Sequence, residues 1–131
     1  MTKAPTGLRG VQVCVGILFI VIAVLTLGPF QGAESQFGLS DKEAHLLAFF
    51  CLTLLLQAAL PSSRRILIIV SLLGFGALIE VVQFFTGRSA NVFDFTADAV
   101  GVAMASVAAL FEKLRMHFKA LISATSDTPD I

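Results

Sequence analysis

The chain has 131 residues, 56% apolar and 14% charged, with a mean hydropathy of +0.90 and a formal net charge of zero. Soluble domains carry about 25% charged residues, so this chain lacks the polar surface to cover a water-soluble ball of its size. A balanced charge points to no nucleic-acid partner, and the long apolar stretches argue for an integral membrane protein whose outside is solvated by lipid.

In chain order, membrane spans are expected over residues 11–27, 41–60, 66–85 and 92–110. A crossing helix needs about 17–25 residues, which puts the first at the short end. In lipid every backbone amide must be satisfied internally, and no alternation suited to a barrel is present. The expected fold is therefore all-α: a single polytopic membrane domain, residues 1–131, with four transmembrane helices in a compact bundle. Lys3 and Arg9 precede the first span, which makes a cleaved signal peptide the competing reading. Its apolar run is long for such a segment, and Gly32-Ala33 lacks the A-x-A pattern, so a retained helix is preferred. Cys14 and Cys51 lie in apolar runs and are expected to be buried and unpaired.

Gly28-Pro29 stops the first helix, "PSSRR" links the second to the third, and "TGRSAN" links the third to the fourth, with Gly87 as a C-terminal cap. Residues 111–122, "FEKLRMHFKALI", form a basic amphipathic helix. It either rests on the inner leaflet or continues helix four into water. Residues 123–131 are a polar tail. Lys3, Arg9, Arg64, Arg65, Lys113, Arg115 and Lys119 fall on one side of these spans, and only Lys42 and Arg88 on the other. The positive-inside rule then puts both termini in the cytoplasm.

That topology gathers the remaining ionisable residues at the outer end. Span two begins with Asp41, Lys42 and His45; span three ends with Glu80 and Gln83; Arg88 lies in the turn; span four begins with Asn91, Asp94 and Asp98. Asp41 and His45 share a helical face, as do Asp94 and Asp98, with Gly101 one turn deeper. A carboxylate facing lipid at the helix centre costs about 2.5–3.5 kcal/mol, so these groups should face one another. Gly74, Gly76, Ala77, Ala97, Ala99, Gly101, Ala103 and Ala105 offer small faces for close approach. Capping competes as an explanation at the rim: Ser40 with Glu43 makes a capping box, Asp41 suits a helix N-terminus, and Asn91 with Asp94 could cap span four. His45, Glu80 and Asp98 lie too deep for that and otherwise serve as an internal hydrogen-bond cluster.

Several chemistries fit such a layer. Ligand recognition would use Asp41, Lys42, His45, Glu80, Gln83, Arg88, Asp94 and Asp98, the cations taking a phosphate or carboxylate and the acids an amine or sugar hydroxyls. An enzyme would use His45, Glu80 and Asp98 as an acid–base cluster on a lipid-linked substrate. Metal binding is disfavoured because Lys42 and Arg88 compete and no H-E-x-x-H motif is present, so neither metal nor cofactor is expected. Transport is disfavoured by the small number of spans and the lack of broken helices or repeats.

"DKEAHLLAFF" followed by "IEVVQFFTGRSANVFDFTADAVG" resembles the VanZ-like family of small bacterial membrane proteins. The family pattern of D-K-x-x-H, then E-x-x-Q, an Arg in the turn and D-x-x-x-[DN]-x-x-G falls here on Asp41, Lys42 and His45; Glu80 and Gln83; Arg88; and Asp94, Asp98 and Gly101. The match runs from span two to span four, and Asp98 stands where many members have Asn. The resemblance implies a multi-pass bacterial plasma-membrane protein with an outward-facing polar site. The founding member is associated with resistance to the glycopeptide teicoplanin. Expected partners are membrane lipids, a lipid-linked or glycopeptide ligand at the outer face, and an oligomer or larger envelope complex.

Overall fold

A computed structural model describes residues 6–27, 33–60, 63–87 and 90–126. They form α1 (Thr6–Leu27), a short 3-10 helix (Ala33–Phe37), α2 (Asp41–Ala59), α3 (Arg65–Phe85) and α4 (Val92–Ser126). Each of the four α-helices is long and apolar enough to cross a membrane. Arg88 lies outside the described residues, as do Lys3 and Gly28-Pro29.

Three of the described helix ends have a local cause. Ser40 opens α2 with a capping box: its hydroxyl accepts from the Glu43 amide, and the Glu43 carboxylate accepts from the Ser40 amide at 2.8 Å. This accounts for Glu43 without a site role. α3 ends at Thr86, followed by Gly87 at φ 74°, a left-handed turn that glycine adopts without a Cβ clash. Asn91 opens α4, its side-chain oxygen accepting from the Phe93 amide at 3.0 Å.

Two boundaries differ from those of the expected spans. α1 already includes Thr6 rather than starting near Val11, so the helix reaches further toward the N-terminus than expected. Residues 111–122 continue α4, which matches the continuation given as one of the two sequence readings, so the helix does not end at Leu110. It runs unbroken for 35 residues to Ser126, because no Gly or Pro follows Gly101 until Pro129. At about 1.5 Å per residue it reaches about 52 Å, against a hydrocarbon core of about 30 Å, so its end must leave the bilayer.

α2 lies against all three other α-helices and most extensively against α4. The buried residues Ile68, Leu72, Gly76, Ile79 and Gln83 recur at helical spacing along one stripe of α3. Phe49 and Leu52 on α2, Val102 and Ala105 on α4, and Val15 and Ile22 on α1 complete the core. Phe75 meets Phe19 edge-on at 5.0 Å and fixes α3 against α1. Two glycines carry the closest approaches. A Cβ on Gly101 would strike the Leu46 carbonyl oxygen, and one on Gly76 would come within 2.8 Å of Asp98 Oδ2. Gly74, by contrast, has open space around it, so it is not one of the packing contacts.

The outside is apolar where the inside is partly polar. Ile17, Ile20, Leu78, Val81, Phe84, Met104 and Val107 are exposed, while His45, Thr53, Gln83, Asp94 and Asp98 are buried. Water would favour the reverse; lipid favours this arrangement. α1 is the peripheral helix, with 11% of its apolar window buried against 28% for each of the other three. Cys14 is consequently exposed rather than buried, facing outward from α1, and both cysteines are free.

Candidate functional site

The start of α2, the end of α3 and the start of α4 share one end of the helix assembly, and their ionisable side chains meet there. His45 Nδ1 lies 2.8 Å from Asp98 Oδ1, and its other nitrogen, Nε2, lies 3.9 Å from Asp41 Oδ1. Lys42 Nζ stands 3.6 Å from Asp94 Oδ1. Glu80 is in Coulombic reach of Asp94, His45 and Asp98. Helical spacing makes this possible: Asp41 and His45 are one turn apart on α2, and Asp94, Asp98, Gly101 and Ala105 descend a single face of α4 into the core.

Burial is graded from rim to interior. Asp41 is exposed and the Lys42 side chain is 53% exposed, whereas His45 is 6%, Asp94 3% and Asp98 0% exposed. The His45–Asp98 pair is held in place from behind. Gly76 of α3 provides the space into which Asp98 Oδ2 fits, and Gly101 lets α4 come close enough to α2 for Asp98 to reach His45. With Nδ1 protonated, His45 donates to Asp98, and Nε2 is directed toward the Asp41 side and the rim.

Glu80 joins the elements differently. Its Oε2 accepts the Asn91 backbone amide at 2.8 Å, so a carboxylate on α3 holds the residue that opens α4. Changing Glu80 to Ala leaves that part-buried amide without its acceptor, a loss of about 1 kcal/mol, whereas Glu80→Gln keeps a carbonyl oxygen there. Hydrogen exchange at Asn91 is therefore expected to accelerate in Glu80→Ala and stay close to the parent rate in Glu80→Gln. Equal protection in all three proteins would contradict this role.

Gln83 is buried but occupied elsewhere: its Nε2 donates to the Thr26 carbonyl at 2.9 Å and ties the end of α3 to the end of α1. Thr26 was not evident as a partner from sequence, because a backbone carbonyl has no residue-type signature. A second polar pair, Gln57 Nε2 to Ser106 Oγ at 3.4 Å, links α2 and α4 nearer the opposite end. Its only sequence signal is a polar residue inside each apolar run.

Among the described residues, four carboxylates (Asp41, Glu80, Asp94, Asp98) thus accompany one lysine and one histidine. Three of their buried oxygens, Glu80 Oε1, Asp94 Oδ1 and Asp98 Oδ2, have no hydrogen-bond donor, although Asp94 Oδ1 keeps its longer ion pair with Lys42. Among the described residues the layer is rich in acceptors and poor in donors. Among the described residues, no group of three or more His, Cys, Asp or Glu side chains is arranged to hold a metal ion.

Comparison of the chain with protein-family models, with curated proteins and with solved structures found no match. Fold and composition define the class: a multi-pass, all-helical membrane protein. Its distinguishing feature is a buried ionisable layer at one end.

Proposed function

We propose that this is a VanZ-like protein of the bacterial plasma membrane, with both termini cytoplasmic. In this reading its ionisable layer recognises a lipid-linked envelope component, or an envelope-active glycopeptide, from the outer face. The distribution of Lys and Arg supports the orientation, and the residue pattern from Asp41 to Gly101 supports the family. The observation that carries the recognition reading is the excess of acceptors among the described residues: buried carboxylate oxygens without donors there, beneath a half-exposed lysine. A ligand ammonium or sugar hydroxyl supplies the missing donors. Lys42 is the group it displaces, because the contact with Asp94 at 3.6 Å is longer than a hydrogen bond and its side chain is open to exchange. Asp41 and Lys42 offer both charges at the rim, so one ligand can present a cation and an anion together.

A ligand at about a hundredfold excess over its Kd stabilises the native state by about 2.7 kcal/mol. Purified protein should therefore melt at a higher temperature in the presence of teicoplanin or of a lipid-linked cell-wall sugar precursor. Asp94→Asn should abolish that gain while melting normally without ligand. No shift with either probe, or an undiminished shift in Asp94→Asn, would exclude this reading.

The His45–Asp98 pair favours a second reading, a membrane enzyme acting on a lipid-linked substrate. Asp98 orients the imidazole through Nδ1, leaving Nε2 to take a proton from a hydroxyl or water, with Glu80 as the second acid–base group. Turnover that disappears in His45→Gln, with ligand-induced stabilisation retained, separates this reading from recognition alone.

A further inference from the structure

At the end of the assembly away from the ionisable layer, α2, α3 and α4 line a half-open cavity of about 750 Å³. That is within the range of about 300–1,000 Å³ typical of small-ligand sites. Its apolar walls include Leu54, Ile68 and Ala108, and its charged lining includes Arg65, Lys113 and Glu112. The Glu112 carboxylate is already engaged, 2.8 Å from the Arg115 guanidinium. Arg65 and Lys113 have no such partner among the described residues, so the cavity presents unbalanced positive charge.

The backbone adds to that charge. Arg65 is the first residue of α3, and Arg64 at the N-cap makes no side-chain capping bond. The amide groups and positive dipole end of α3 therefore lie beside the Arg65 side of the cavity. The Gln57–Ser106 hydrogen bond closes the α2–α4 contact along one side. The location matters as well: α2 ends at Ala59 and α3 begins at Arg65, so this region lies where two hydrophobic spans terminate. A cationic rim over an apolar wall at the end of membrane helices matches a molecule with a phosphate joined to hydrocarbon.

We propose that this cavity binds an anionic phospholipid, with Arg65 and Lys113 on the phosphate and Leu54, Ile68 and Ala108 against the upper part of the acyl chains. The site is separate from the layer around His45. It does not depend on the VanZ-like resemblance or on which membrane face the cavity occupies. Binding joins α2, α3 and α4 at the end where, among the described residues, the Gln57–Ser106 bond links side chains of α2 and α4.

Native mass spectrometry of the full chain in detergent, titrated with phosphatidylglycerol or phosphatidylcholine of the same acyl chains, tests this. Two basic contacts predict a preference for phosphatidylglycerol of about thirtyfold. The preference should fall to about twofold or less in R65Q/K113Q, persist in R65K/K113R and persist in K119Q, whose lysine does not line the cavity. In the parent protein the preference should also weaken in about 1 M salt, where the screening length is about 3 Å, so the result does not depend on any variant folding. Equal retention of the two lipids, or an unchanged preference in R65Q/K113Q or at high salt, overturns the proposal. Displacement of phosphatidylglycerol by millimolar inorganic phosphate overturns it too, by making this a site for free phosphate.

Discussion

Gly101→Ala should lower stability in detergent by about 3 kcal/mol, toward the upper end of the cost of overpacking a well-filled core. The new methyl group would strike the Leu46 carbonyl oxygen and come within 3.0 Å of the Phe50 backbone nitrogen. These are backbone atoms of the facing helix, so no rotamer change relieves the clash, and α4 must move away from α2. The helix propensity gained on replacing glycine, at most about 1 kcal/mol, does not offset this. Gly74→Ala is the matched control. It gains the same propensity with nothing within 4 Å of the new atom, and should melt at or above the parent temperature. Gly76→Ala falls between them, because its neighbours are the side chains of Asp98 and Phe49, which can shift. Thermal melts of the three variants give the order directly. If Gly101→Ala and Gly74→Ala melt together, α2 and α4 are not in backbone contact.

Asp98→Ala should destabilise the protein by about 3 kcal/mol, the upper end of the cost of leaving a buried donor unsatisfied. Asp98 is fully buried and His45 is 6% exposed, so water cannot replace the lost bond to Nδ1. Asp98→Asn should cost far less, about 1 kcal/mol, because the amide oxygen can accept from the same nitrogen at almost the same volume. The comparison separates geometry from charge: a small loss in Asn with a large one in Ala means that Asp98 positions the imidazole chiefly through its acceptor. Denaturation in mixed micelles measures both changes. An Asp98→Ala protein as stable as the parent would show that the pair is not formed. The prediction also tests the proposed site, since Asp98→Asn keeps the fold while removing one of the carboxylates credited with ligand recognition.

Much of this architecture could be read along the chain. Apolar length and the scarcity of charge specify four helices long and apolar enough to cross a membrane. The placement of Ser40, Glu43, Gly87 and Asn91 marks their ends, because capping is decided by residues within a turn of one another. Helical spacing also put Asp41 with His45 and Asp94 with Asp98 on common faces, and the cost of a lipid-facing carboxylate turned those faces inward.

Partner choice was decided only in three dimensions. That His45 takes Asp98 rather than Glu80, that Glu80 holds the Asn91 amide, and that Gln83 leaves the layer for the Thr26 carbonyl all depend on helix rotation and relative height. Those are set by which small residues meet which backbones: Gly101 and Gly76 are buried in contacts, while Gly74 and Ala103 face outward, though all four look alike in sequence. The cavity between Arg65 and Lys113 has the same origin, since it is lined by the end of α2, the start of α3 and the middle of α4 and belongs to no single segment. Sequence determines which stripe of each helix must be hidden from lipid. The packing of one stripe against another determines which atoms touch.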